Sequence, residues 1–197
     1  VSSGKPLPWE DAFRIAGEVS KHLQPHCVRL KAAGSLRRRR PEVSDIDFVC
    51  EPRMVTADLF GTQVADVDPI RAALVYIGTW VRGGERMMQI TDVFGRAGLK
   101  CEIHLVWPPA QWGSLLAIYT GPWELGRHAV TAMQRLGYRH EDGHVVEAAT
   151  GRTIPTPDEA DFFRLAGLPC WAPAFRENLW TRIEAGEKLT PEVAYAS

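Results

Sequence analysis

The sequence predicts an α+β fold, and three stretches carry that prediction. Residues 9–23 repeat apolar side chains at helical spacing, and residues 28–32 and 99–106 alternate apolar and polar side chains at strand spacing. Residues 34–51, GSLRRRRPEVSDIDFVCE, lead from a basic turn into a strand that carries two aspartates one residue apart. With 197 residues, 45% of them apolar, the chain can bury a core as one ordinary domain or two small ones.

Taken in order, Pro6 and Pro8 precede a helix in which Ala12, Ile15, Ala16, Val19 and Leu23 share one face, Glu10 and Asp11 sit in the first turn, and Pro25 ends the pattern. Val28, Leu30 and Ala32 then alternate with Arg29 and Lys31 as a strand. It delivers the chain to Gly34-Ser35, which suits a tight turn whose backbone N–H groups can approach an anion. In the next strand Asp45 and Asp47 project to one face while Ile46, Phe48 and Cys50 project into a core. Residues 53–73 are poorly patterned. Asp66, Asp68 and Pro69 read as loop, followed by a helix through Ile70, Leu74 and Ile77, and Gly83-Gly84 turns the chain into another strand.

In the following strand Leu99, Cys101, Ile103 and Leu105 alternate with Lys100, Glu102, His104 and Val106, so Glu102 stands on a polar face between two side chains that can carry positive charge. Past Pro108-Pro109 the pattern predicts a short helix, a turn at Thr120-Gly121-Pro122, and a second helix with Leu125, Ala129, Met133 and Leu136 inward. The tail predicts a hairpin turn at Asp142-Gly143, a capping box from Thr156 to Glu159 opening a helix over Phe162, Phe163 and Leu165, and a last helix over 177–187.

Two carboxylates on one strand face attract a cation, and a hard ion such as Mg²⁺, which keeps several waters, suits such a pair. A D-x-D beside an arginine run also suits a solvated face with local ion pairs. Net charge is -1, from 23 basic and 24 acidic residues, so any affinity for a polyanion must be local. The run Arg37 to Arg40 reads equally as solvated charge or as a phosphate contact. The four cysteines, Cys27, Cys50, Cys101 and Cys170, form no C-x-x-C pair, which argues against zinc and a disulfide framework and for buried thiols. No apolar run approaches the roughly 18 residues of a membrane span, and the N-terminus has no leader-like apolar segment. A soluble, reducing, intracellular setting is expected, with the significance of Val1 at the start left open.

The ordered set of Gly34-Ser35, then Arg38, then D-x-D eleven residues after the glycine, then apolar strand residues, resembles the nucleotidyltransferase signature. In its longer form it resembles the palm of the X family of DNA polymerases (DNA polymerase beta-like). Tyr119-Thr120-Gly121 is similar to that family's aromatic-Thr-Gly element beside the incoming sugar, and Trp171, Pro173 and Arg176 are similar to the end of its thumb. The resemblance covers about residues 5–177. It implies a nucleotidyltransferase palm over 1–110, with a mixed or antiparallel sheet and helices on one face, followed by a small α/β thumb over 111–197.

It further implies an enzyme that adds deoxynucleotides from dNTPs to a primer 3'-OH by two-metal phosphoryl transfer, with short-gap filling in DNA repair as its setting. Asp45, Asp47 and Glu102 would hold two Mg²⁺ ions, with Mn²⁺ as a substitute. Gly34, Ser35, Arg38, Ser44, Tyr119, Thr120 and Gly121 would contact the nucleotide. Arg127, Arg135, Arg139 and Arg176 would contact DNA, as primer-template or gapped duplex. A monomer with no membrane association is expected. Two departures matter: Glu102 stands where the family has Asp, and Gly126 and Val130 stand where it has Asn and Arg, which implies weaker base-pair checking. Counterparts of the family's lyase domain and fingers are missing, which implies a minimal palm-thumb form. The competing readings are a nucleotidyltransferase acting on a small-molecule or protein acceptor, which the Tyr119 turn and the thumb-like tail disfavour, and a catalytically silent binding module, which three intact carboxylates disfavour.

Overall fold

The structure is a computed structural model that describes residues 5–56 and 58–187. Val1 and the last ten residues of the 111–197 segment, on which expectations were placed, lie outside the described residues. By internal contacts the chain divides into two units, residues 1–36 with 41–107, and residues 37–40 with 108–197.

The first unit runs β1 (Leu7–Pro8), α1 (Trp9–Leu23), β2 (Cys27–Ala32), α2 (Gly34–Arg37, whose last residue groups with the second unit), β3 (Glu42–Val43), β4 (Asp45–Pro52), β5 (Met54–Thr56), β6 (Gln63–Ala65), α3 (Asp68–Ile77), β7 (Thr79–Gly83), β8 (Met87–Thr91) and β9 (Lys100–Leu105). Its main sheet has the order β2-β4-β9-β8-β7. All neighbours are antiparallel except β4 and β9, which are parallel, so the sheet is mixed and the protein α+β. The parallel pair requires a long crossover. The chain supplies it through the β5–β6 hairpin, α3 and the β7–β8 hairpin before β9 inserts between β4 and β8.

Alternation then sorts the sheet's two faces. Ile46, Phe48 and Cys50 of β4, Cys101, Ile103 and Leu105 of β9, and Met88 and Ile90 of β8 are buried in one core with the apolar stripes of α1 and α3. The opposite face carries Asp45 and Asp47, Lys100, Glu102 and His104, and Gln89. This unit corrects the reading of residues 53–73: part of that stretch is the short β5–β6 hairpin, and Asp68 and Pro69 belong to the first turn of α3, where Pro is tolerated and an acidic side chain meets the helix's positive end. Gly34-Ser35 opens a single helical turn, with Gly34 at a φ of +57°. The cysteines are free thiols; Cys27, Cys50 and Cys101 are buried, with Cys27 Sγ 3.0 Å from Cys50 Sγ.

The second unit contains α4 (Trp112–Thr120), α5 (Trp123–Arg135), the sheet of β10 (Tyr138–Glu141), β11 (His144–Glu147) and β12 (Thr153–Ile154), then α6 (Glu159–Leu165) and α7 (Arg176–Glu184). Its core joins Leu125, Ala129 and Met133 of α5 to Phe162, Phe163, Trp171 and Leu179. Leu136, expected inward, is 57% exposed because α5 ends before it. The cap of α6 falls later than expected: the Asp158 N–H donates to Asp161 Oδ2 at 3.2 Å, while Thr156 is fully buried and its hydroxyl donates to Gln111 Oε1 at 2.9 Å. The last helix is 176–184 rather than 177–187. Among the described residues no helix is long and apolar enough to cross a membrane.

Candidate metal centre

The parallel register sets Asp45 opposite Lys100, Asp47 opposite Glu102 and Val49 opposite His104. Side chains two apart on a strand share a face, so Asp47, Glu102 and His104 converge from two adjacent strands. One oxygen or nitrogen from each lies within 4.8 Å of the other two. His104 Nε2 is 3.8 Å from Asp47 Oδ1 and 3.9 Å from Glu102 Oε2. Gln89, on β8 opposite Glu102 and 93% buried, donates from Nε2 to Glu102 Oε1 at 2.6 Å and so orients that carboxylate.

The backbone closes in on the other carboxylate. A Cβ added to Gly34 would lie 2.0 Å from Asp47 Oδ2, so the turn and the carboxylate occupy adjoining space that only glycine leaves open. The Ser35 hydroxyl is buried without a hydrogen-bond partner among the described residues. Ser44, the residue before β4, is exposed.

Negative charge is crowded here. Burial first, then the neighbouring charges of Asp47 and Glu102, hold the Asp45 carboxyl above its ordinary pKa, with Lys100 opposing. A divalent cation would relieve that repulsion, and carboxylate oxygens with one imidazole nitrogen form a donor set that suits such an ion. Asp45 shares the face but lies outside the three-residue cluster. His104 takes the third place, and the signal for it was present in the sequence as the i+2 neighbour of Glu102 on the polar side of the strand.

The other residues singled out in the sequence lie in the second unit. Arg37 is ion-paired with Glu159, Nη2 to Oε2 at 2.5 Å and Nη1 to Oε1 at 2.8 Å, and its Nη1 also donates to the Thr120 hydroxyl. Arg38 donates from Nε to Glu177 at 2.8 Å and from Nη1 to the Thr120 carbonyl, and only 12% of its side chain is exposed. These two arginines therefore clasp the Tyr119-Thr120-Gly121 turn. Gly121, at a φ of +72°, would bring an added Cβ within 2.7 Å of Arg38 Nη1.

Arg127, Arg135 and Arg139 are exposed, Arg127 lying over the Trp123 ring at 4.6 Å. The assignment of Arg176 to DNA is corrected: its side chain is fully buried, donating to Glu159 at 2.9 Å and to the Trp171 carbonyl at 3.1 Å, so no phosphate can reach it.

No family model matches the chain. It is 27% identical over 169 residues to the DNA polymerase/3'-5' exonuclease PolX of Bacillus subtilis (strain 168), an alignment that covers 85% of this chain and 28% of that protein. The chain thus spans little more than a quarter of its relative's length, and the similarity marks a distant relationship to the X family.

Proposed function

We propose that this chain is an X-family type DNA polymerase that transfers a nucleotidyl group from a dNTP to a primer 3'-OH on gapped or primer-template DNA. The observation that carries the reading is that Asp45, Asp47 and Glu102 share one face of two parallel strands, Asp47 directly opposite Glu102, with the Gly34 turn against Asp47. Asp45, Asp47 and Glu102 would hold divalent cations, Mg²⁺ or Mn²⁺. Such ions supply charge neutralisation to the reacting oxygens, which suits phosphoryl transfer because its demands are mostly positioning and electrostatics.

The chain's own contributions are local. Gln89 fixes the Glu102 carboxylate, and the buried Ser35 hydroxyl offers a donor to a phosphate oxygen beside the Gly34 turn. Lys100 opposite Asp45 offsets part of the excess negative charge on the carboxylate face. The exposed Arg127, Arg135 and Arg139 remain candidates for phosphate contacts. A Glu in place of the family's third Asp favours the second reading, transfer of a nucleotide to a small-molecule or protein acceptor, enough to keep it in the test.

The test is primer extension on gapped and primer-template DNA, run beside labelling of non-DNA acceptors. Asp45→Ala and Asp47→Ala are expected to reduce incorporation to background while circular dichroism stays as in wild type. Incorporation near wild type in either folded variant overturns the mechanism. Label on a non-DNA acceptor with none on primer moves the reading to the second.

A further inference from the structure

The distances around His104 say more than that a cation fits. At 3.8 Å from Asp47 Oδ1 and 3.9 Å from Glu102 Oε2, the Nε2 atom is too far from either for a hydrogen bond. Those separations fall within the span open to donors around one ion: at metal–ligand distances of about 2.1 Å, adjacent octahedral ligands stand about 3.0 Å apart and opposite ones about 4.2 Å, so small side-chain shifts bring the three donors onto a shared ion. His104 is 94% buried and held on the central strand of the sheet, and Glu102 is tied by Gln89 through Oε1, with Oε2 on the His104 side. A buried imidazole beside two carboxylates, one of them oriented by its own hydrogen bond, is a mixed nitrogen and oxygen donor set.

Mg²⁺ is held through oxygen and water, whereas first-row transition ions also take imidazole nitrogen, Fe, Ni, Cu and Zn most readily and Mn²⁺ least. We propose that Asp47, Glu102 and His104 form a three-ligand site for a first-row transition-metal ion, with His104 Nε2 as a direct ligand that sets its preference against Mg²⁺. The inference rests on reading this face as a divalent-metal site, and it names the metal class that the carboxylates alone leave open.

The probe is Mn²⁺ alone with the full chain, without nucleotide or DNA. Electron paramagnetic resonance titration measures affinity, competition with Mg²⁺ measures preference, and electron spin-echo envelope modulation detects a directly coordinated imidazole nitrogen. Wild type should show nitrogen coupling and bind Mn²⁺ at least about tenfold tighter than Mg²⁺. His104→Gln should lose the coupling and about tenfold in Mn²⁺ affinity, a loss of the size seen when the support of a metal site is removed, while Mg²⁺ affinity moves by less than about threefold.

Absence of nitrogen coupling in wild type overturns the inference, as does a folded His104→Gln protein that binds Mn²⁺ like wild type. The wild-type spectrum decides the matter even if the variant fails to fold. Nitrogen-coupled Mn²⁺ in a chain that extends no primer supports this site and overturns the polymerase reading. Primer extension with Mg²⁺ and no nitrogen coupling does the reverse.

Discussion

Replacing Glu159 should be the most damaging single charge change in the second unit. Its carboxylate is 11% exposed and is shared by two guanidiniums, Arg37, 14% exposed, and Arg176, fully buried. Such an arrangement is poor evidence of net stabilisation relative to an apolar core, but removing one partner leaves the others charged and stranded. Breaking a buried pair costs about 3–5 kcal/mol. At about 2–4 °C per kcal/mol for a chain of this size, Glu159→Gln should melt about 6–20 °C below wild type.

The pH dependence supplies an independent check. Burial alone would raise the Glu159 pKa, but hydrogen bonds and charges from Arg37 and Arg176 outweigh it and hold the group below its ordinary value. A carboxylate with a depressed folded pKa stabilises fully above its unfolded value, near 4.3, and loses that contribution as pH falls through the folded value. Urea titrations should therefore show a constant gap between wild type and variant from pH 7 to about pH 5, closing below about pH 4. Replacing all three members with apolar side chains should recover most of the loss. A Glu159→Gln protein within about 1 kcal/mol of wild type at pH 7 would refute the argument.

Gly34→Ala should cost about 1–2 kcal/mol for a side chain at positive φ, and displacement of Asp47 should weaken divalent binding in calorimetric titration. Unchanged metal affinity would show that the carboxylate does not need the glycine. Asp45→Asn should raise the melting temperature of the protein in chelator, since it removes a charge crowded by Asp47 and Glu102, and should diminish the stabilisation gained on adding a divalent ion. A lower melting temperature in chelator would count against burial and the neighbouring carboxylates together making the Asp45 charge unfavourable.

Much of the first unit is legible in its sequence, because its local signals agree with one another. The stripe of α1, the alternation in β4 and β9, and the spacing of Asp45 and Asp47 are set by periods of 3.6 and 2, which a sequence displays directly, whereas in β2 a register irregularity between Cys27 and Arg29 leaves Val28, expected inward, exposed. The same alternation assigned Glu102 and His104 to a polar face. The β5–β6 hairpin escaped because its strands are three residues long, two of the β5 side chains being apolar yet exposed, so no core-facing alternation marks them.

What the tertiary structure alone decided is which of these residues meet. That β9 pairs with β4 in parallel, with Asp47 against Glu102, depends on a crossover of about fifty residues whose register no local pattern encodes. The fate of the arginines was equally nonlocal. The run Arg37 to Arg40 reads equally as solvated charge or as a phosphate contact, Arg38 as a nucleotide contact and Arg176 as a DNA contact, yet Arg176 pairs with Glu159, and the partners of Arg37 and Arg38, which are Glu159, Thr120 and Glu177, lie far away along the chain. Sequence determined the faces and the charges they carry, since periodicity and side-chain chemistry are local. Only folding decided which charge is matched by a carboxylate, because pairing depends on positions in space that the chain reaches after its elements have packed.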